Sequence, residues 1–327
     1  MVELIWGAWV AQAVTVASEL HIADALAEKP LGIDELAAKV GANPDALSRL
    51  LRALIGRGVF RQRRDGRYDL TPLAHTLRWD VPDSMAALAC FIGSAQEREH
   101  WSYLDDAVRT GESVVPVLRG MEAFDYMSTQ PELNDVFNQA MTNFSEMAVT
   151  MVTSVYDFTR YGTIVDVAGG HGRLLAGVLA TTPNSRGVLF DQPHVVADAG
   201  PLLRKHDVAD RVEIVEGSFF DTVPADGDLY LLKHIIHDWP DDKAVEILKN
   251  VRAATGDGSR LMLVESVIPP HDRDFSTKWL DLEMLVGNAG RERTADEYRK
   301  LLKKAGFQMT RIIATASPFS LVEAAPA

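Results

Sequence analysis

Glycines, carboxylates and imidazoles recur where apolar runs of this chain end, and their spacing narrows the chemistry it can perform. Ile164-Val165-Asp166-Val167-Ala168-Gly169-Gly170-His171-Gly172 reads as a buried strand emptying into a glycine-rich turn, and Arg173 to Ala180 then reads as a helix. With little Cβ bulk, the backbone at Gly169, Gly170 and Gly172 can take positive φ and approach a ligand. The free N–H groups of the helix start would face the same ligand. Some twenty residues on, Val188-Leu189-Phe190-Asp191 is an apolar run ending in an acid, where a carboxylate commonly grips ribose hydroxyls.

Dinucleotide turns need glycines at the first, third and sixth positions, whereas this turn supplies Ala168, Gly170 and Arg173. The wider spacing Asp166-x-Ala168-x-Gly170-x-Gly172 fits instead the turn of enzymes that bind S-adenosylmethionine, whose amino-acid end takes the place of the pyrophosphate. A glycine-rich connection with structural duty alone is the plainer alternative.

Further along, Lys233-His234-Ile235-Ile236-His237-Asp238-Trp239 follows one apolar run, and Val264-Glu265 ends another. A phenol titrates near ~10 and an imidazole near ~6.5, so a neutral imidazole can take the phenol's proton. On spacing alone, His237-Asp238 serves equally well to cap a helix starting at Trp239-Pro240. His234, His237 and Asp238 lack a well-spaced completion of a ligand set, so no metal is expected.

The elements that must position these residues are legible in outline. Past Gly162, strands are expected near 163–167, 187–190, 212–215, 228–233 and 259–265 with helices between, as a parallel doubly wound sheet requires. Gln308–Ala314 and Phe319–Val322, around Ser317-Pro318, read as an antiparallel hairpin closing that sheet. Ligand and chemistry then belong at the carboxyl ends of the strands. In front, helices are expected at Trp6–Ala27, Glu35–Val40 and Asp45–Gly56, the last capped by Asn43-Pro44. Val59-Phe60 and Tyr68-Leu70 flank an Asp65-Gly66 turn and complete a winged-helix outline. Residues 84–161 read as all-helical, with breaks at Gly111, Pro116, Gly120 and Pro131. The division expected is a domain at 1–100, a helical connector at 101–161 and a ligand-binding domain at 162–327.

At 327 residues and 47% hydrophobic content the chain can bury a sizeable core without crosslinks. Its one cysteine, Cys90, excludes an internal disulfide framework and reads as a buried thiol, in keeping with a reducing, cytoplasmic setting. The apolar start at Ile5–Ala17 is too short and amphipathic to span a bilayer. A formal charge of −13 disfavours nucleic-acid and anionic-membrane binding. Residues 1–80 are neutral, with ten basic and ten acidic side chains, so the later part holds the whole excess.

The chain resembles the small-molecule O-methyltransferase family that includes plant caffeate and flavonoid enzymes and bacterial antibiotic-tailoring relatives. The resemblance covers nearly the full length. It rests on Asp166–Gly172, Phe190-Asp191-Gln192-Pro193-His194-Val195, Leu232-Lys233 through His237-Asp238-Trp239, and Gly290-Arg291-Glu292-Arg293-Thr294. It implies a Rossmann-like α/β domain behind an α-helical, winged-helix-like dimerisation domain, and hence a homodimer. It makes His237 the general base with Glu265 and Glu292 beside it. It puts S-adenosyl-L-methionine at Asp166 and Gly170, with Asp191 on the ribose, Ser218 and Phe219 around adenine, and Lys233 against the ligand. It lines the acceptor pocket with Phe137, Met141, Met284 and Asn288, and implies a small aromatic hydroxyl compound. Two positions depart from the pattern: Ala168 stands where relatives mostly have glycine, and Ser218 where many have aspartate.

Two rival readings remain at this level. A winged-helix regulator with a ligand-sensing domain would use Arg49, Arg52, Arg57, Arg61, Arg63, Arg64 and Arg67 on DNA. An enzyme of the same fold could keep the cofactor without passing on the methyl group.

Overall fold

The apolar runs at 163–167, 186–191, 229–233 and 260–268 become strands, and amphipathic runs become the helices that cover them. The structure is a computed structural model and describes residues 1–270 and 276–327. The described chain divides into two compact units: Met1–Ser102 with Phe124–Phe144, and Tyr103–Ala123 with Ser145–Ala327. The segment 101–161 contributes to both. Among the described residues, no helix is long and apolar enough to cross a membrane.

In the first unit, Leu47, Leu51 and Leu54 recur at helical spacing on Pro44–Ile55 and bury against Ile22, Leu36, Phe60 and Tyr68. The Asn43 side chain accepts from the Ala46 N–H at 3.1 Å, the expected cap. Strands β1 (Phe60–Gln62) and β2 (Tyr68–Leu70) pair antiparallel. The single helix expected over Trp6–Ala27 is instead Gly7–Glu19 followed by Ile22–Ala25. His21, at φ 52°, turns the chain so that Ile22, Ala23 and Leu26 all reach the core, and their burial outweighs continued helix. Val2, Leu4, Ile5, Trp6 and Trp9 stay exposed, with Trp6 stacked on Trp9 at 6.1 Å.

In the second unit the strands are β3 (Thr163–Val167), β4 (Arg186–Asp191), β5 (Val212–Glu216), β6 (Leu229–Lys233), β7 (Arg260–Ile268), β8 (Arg293–Thr294), β9 (Phe307–Ala314) and β10 (Phe319–Pro326). Their order is β5-β4-β3-β6-β7-β10-β9, with β8 beside β7. The pairs among β3 to β7 are parallel, while β10 runs antiparallel to both β7 and β9. Order reverses between β3 and β6, so the exits of β3, β4 and β6 flank the crevice where ligands bind in such sheets.

Two expectations need correction here. The connection between β5 and β6 contains no helix. Gly217, Pro224, Gly227 and Asp226 (φ 63°) break up residues 217–228. Pro116 does not break its helix but lies inside Val114–Arg119, in the first turn, where its missing N–H would have had no partner.

Candidate functional site

The turn takes positive φ at two of its three glycines and, in place of Gly169, at Ala168 (φ 54°). Gly170 (φ 59°) and Gly172 (φ 80°) are left-handed, and a Cβ at Gly170 would meet nothing within 4 Å, so open space lies over the turn. Asp191, at the end of β4, accepts from the Gly170 N–H at 2.8 Å and ties the two strand exits together. Asp166 is buried, and its Oδ2 has no hydrogen-bond partner. Burial, partly opposed by the Lys233 ammonium and reinforced by Asp191, pushes Asp166 up to about 7. Lys233 is itself lowered by burial while Asp166, Glu265 and Asp238 support its charge. An orphaned buried acceptor beside an open glycine turn suits a ligand carrying an ammonium group. Ser218 Oγ accepts from the Phe220 N–H, and Phe219 packs edge-on to Phe220 and Trp239.

The second cluster follows β6. His237 lies in a short 3-10 turn, Ile236–Asp238, and is 5% exposed. Its Nδ1 is 2.7 Å from Glu292 Oε1, and its Nε2 is 3.4 Å from Asp238 Oδ1. Glu265, fully buried on β7, accepts from the Ile235 and Ile236 N–H groups and so fixes the loop that presents the ring. The structure thus brings His237, Glu265 and Glu292 together. Among the described residues they form the one group whose donor atoms, all within 4.8 Å of one another, are close enough to hold a cation. His237 and Asp238 do not cap the next helix, which starts at Asp241 after Pro240.

Burial works against a charged ring, but the carboxylates of Asp238, Glu265 and Glu292 outweigh it and push His237 up to about 10. Burial pushes Glu265 up to about 7, against the pull of His237. His234 is held well below its ordinary value by burial and by the neighbouring His237, whose ring centroid is 4.7 Å away. Ala168, His234 and Ala289 all sit at left-handed φ without being glycine, a strain of about 1 kcal/mol each by general expectation, and each borders one of the two clusters.

Of the four residues assigned to an acceptor, Phe137 and Met141 lie in the first unit, where Phe137 packs against Phe91 at 5.2 Å. Met284 is buried in the second unit, and Asn288 donates to Asp238 Oδ1 at 3.0 Å. Sequence reasoning assigned no role to three residues around the dyad. Asp281 receives the Glu292 N–H at 2.9 Å. Gly290 and Arg293 stood inside a quoted motif, and the motif's density of charge was their only signal.

A sheet of this order, with a glycine turn after β3 tied to an acid at the end of β4, is a doubly wound α/β fold with a ligand crevice at its strand exits. Residues 101–308 match the O-methyltransferase domain family and residues 2–78 the O-methyltransferase dimerisation domain. The chain belongs to that O-methyltransferase family. It is 42% identical to the phenazine O-methyltransferase PhzM of Lysobacter antibioticus, over all of this chain and 95% of the relative. The crystal structure of LaPhzM superposes with a TM-score of 0.94 at 42% identity, covering all of this chain and 98% of the other. An O-methyltransferase from neocarzinostatin biosynthesis, in complex with S-adenosylmethionine and 2-hydroxy-5-methyl naphthoic acid, is 30% identical with a TM-score of 0.81, covering 97% and 96%. S-adenosyl-L-methionine is the methyl donor of the family.

Proposed function

We propose that this chain transfers the methyl group of S-adenosyl-L-methionine to a hydroxyl of a small aromatic acceptor, with His237 as general base. The buried 2.7 Å bond between His237 Nδ1 and Glu292 carries the reading, because it fixes the tautomer and leaves Nε2 to deal with the acceptor's proton. The donor, when bound, supplies a methyl group activated by sulfonium charge. The residues that would hold it are Asp166 and Gly170 at its amino-acid end, Asp191 on the ribose, Ser218 and Phe219 around adenine, and Lys233.

The three carboxylate neighbours favour the protonated ring at rest, so the base is its neutral minority form, whose Nε2 takes the hydroxyl proton. The reactive pair is therefore an imidazolium against a phenolate-like oxygen, the pair having released one proton to solvent. A ring near 10 matches a phenol near ~10, so the proton is shared without a large uphill step. The oxygen then forms its bond to the methyl carbon as the carbon–sulfur bond breaks.

Incubation with labelled donor and matched phenols and anilines tests this reading. Label is expected on oxygen, calorimetry is expected to register S-adenosylhomocysteine binding, and activity is expected to survive dialysis against a chelator. Label on nitrogen alone would displace the hydroxyl acceptor, silence in calorimetry would remove the donor site, and activity restored only by added metal would displace the metal-free base. The regulator reading is weakened because Arg61 and Arg63 converge on Asp69 and Arg67 pairs with Asp65 within the wing itself.

We also infer a homodimer, supported by the match to a dimerisation domain and by the exposed apolar stretch from Val2 to Trp9. Light scattering should give twice the 36.0 kDa chain mass, and a monomer at micromolar concentration would refute it.

A further inference from the structure

Arg293 is 1% exposed, and every N–H of its guanidinium has a partner. Nη1 donates to the carbonyls of Ile236 at 2.9 Å and Arg291 at 3.2 Å. Nη2 donates to the Trp239 carbonyl at 2.9 Å and to Asp241 Oδ1 at 2.9 Å, and Nε reaches the same oxygen at 3.1 Å. The carbonyls of Ile236 and Trp239 flank His237 on either side, in a 3-10 turn and an extended step that offer them no helical donor. Arg293 itself opens β8 directly after Glu292, and the Arg291 N–H donates to the His237 carbonyl at 2.7 Å.

We propose that Arg293 is the positioning residue of the His237–Glu292 pair, its planar fork clamping the His237 turn to the segment that carries Glu292 just before β8, so that ring and carboxylate stay in register. The ion pair with Asp241 contributes little, because that carboxylate is half exposed and its charge is screened. What matters is the geometry: three carbonyls and one carboxylate arranged around a plane, a set that the point charge of a lysine cannot match. Without the fork, the turn and residues 288–293 are joined chiefly by the Arg291 N–H, the Asn288–Asp238 bond and the His237–Glu292 bond. Displacements well under an ångström then accumulate at the ring, and a misplacement of about 1 Å at a reacting group can cost ~10²-fold in rate.

The inference rests on His237 being the base, so His237→Gln is measured beside Arg293→Lys in the full-length protein. For Arg293→Lys the expected result is a kcat lower by ~10-fold to 10²-fold, with acceptor KM and S-adenosylhomocysteine affinity nearly unchanged. The acidic limb of kcat/KM should also move to lower pH, because a loosened Glu292 no longer supports the charge on the ring. A folded Arg293→Lys enzyme with wild-type kcat and an unmoved limb would overturn the proposal while leaving the base reading intact. Full turnover in His237→Gln would instead overturn the base reading itself. Should Arg293→Lys fail to fold, Asp241→Ala removes the oxygen that Nε and Nη2 share and so loosens the same fork from its solvent side. It should shift kcat and the pH limb in the same directions by a smaller amount, and wild-type behaviour in that variant would equally overturn the proposal.

Discussion

His237→Ala is expected to lower turnover by ~10²-fold or more while leaving S-adenosylhomocysteine affinity nearly intact. The ring bonds Glu292 in the second cluster, whereas the glycine turn and Asp191 form a separate set of strand exits, so the two measurements report on different side chains. Loss of the imidazole also leaves Glu292 and Glu265 facing each other without their shared cation, and two buried carboxylates so placed repel. The variant should therefore fold with a lowered melting temperature. An unchanged rate would remove His237 from the mechanism whatever the ring's geometry.

The same cluster sets the pH dependence. The ring of the free enzyme is raised to about 10, so the fraction able to accept a proton grows with pH throughout the neutral range. Below that value kcat/KM should climb by about one log unit per pH unit. Glu292→Gln removes one of the three carboxylates that hold the ring up. The ring's value must then fall, and the rising limb must move to lower pH; a shift to higher pH would contradict the electrostatic account. His237→Ala should flatten the limb altogether.

How much of this was legible in the sequence depends on how far apart the contributing residues lie. β3, its glycine turn and Asp191 announce themselves locally, because a continuous apolar run ending in glycine or acid has few other uses. The β9–β10 hairpin was equally plain around Ser317-Pro318. β8 was not: two residues, Arg293 and Thr294, carry no periodicity, and their pairing with Val267 and Ile268 is a long-range event. The bend at His21 was invisible for a similar reason. No glycine or proline marks it, and only the packing of Ile22 and Leu26 into the first unit's core requires it. At the site, chemistry-bearing side chains could be named from motifs, but what holds them could not. Arg293 reads as a surface charge until its neighbours' carbonyls are seen, and nothing in the spacing announces the bond from Asn288 to Asp238.

Gly290 shows how strictly that support is built, and Gly290→Ala is the second substitution expected to have a large effect. A Cβ there would fall far inside the van der Waals contact distance of the His237 carbonyl oxygen and 2.7 Å from the carbonyl carbon of Asp238. Both obstacles are backbone, so no rotamer change relieves them, and overpacking of this kind costs roughly 1–3 kcal/mol when the chain must move. The element that moves is the turn carrying His237, because its carbonyl is held to the Arg291 N–H one residue beyond the new methyl group. Either that 2.7 Å bond lengthens or the ring swings with it away from Glu292. Turnover is expected to fall by ~10²-fold, with donor affinity largely retained. Gly258→Ala, where a Cβ would meet nothing within 4 Å, supplies the control and should behave as wild type. If Gly290→Ala turned over as fast as Gly258→Ala, the approach of residues 290–293 to the His237 turn would be slack. The ring's placement would then have to come from Glu265 alone, through its bonds to the Ile235 and Ile236 N–H groups.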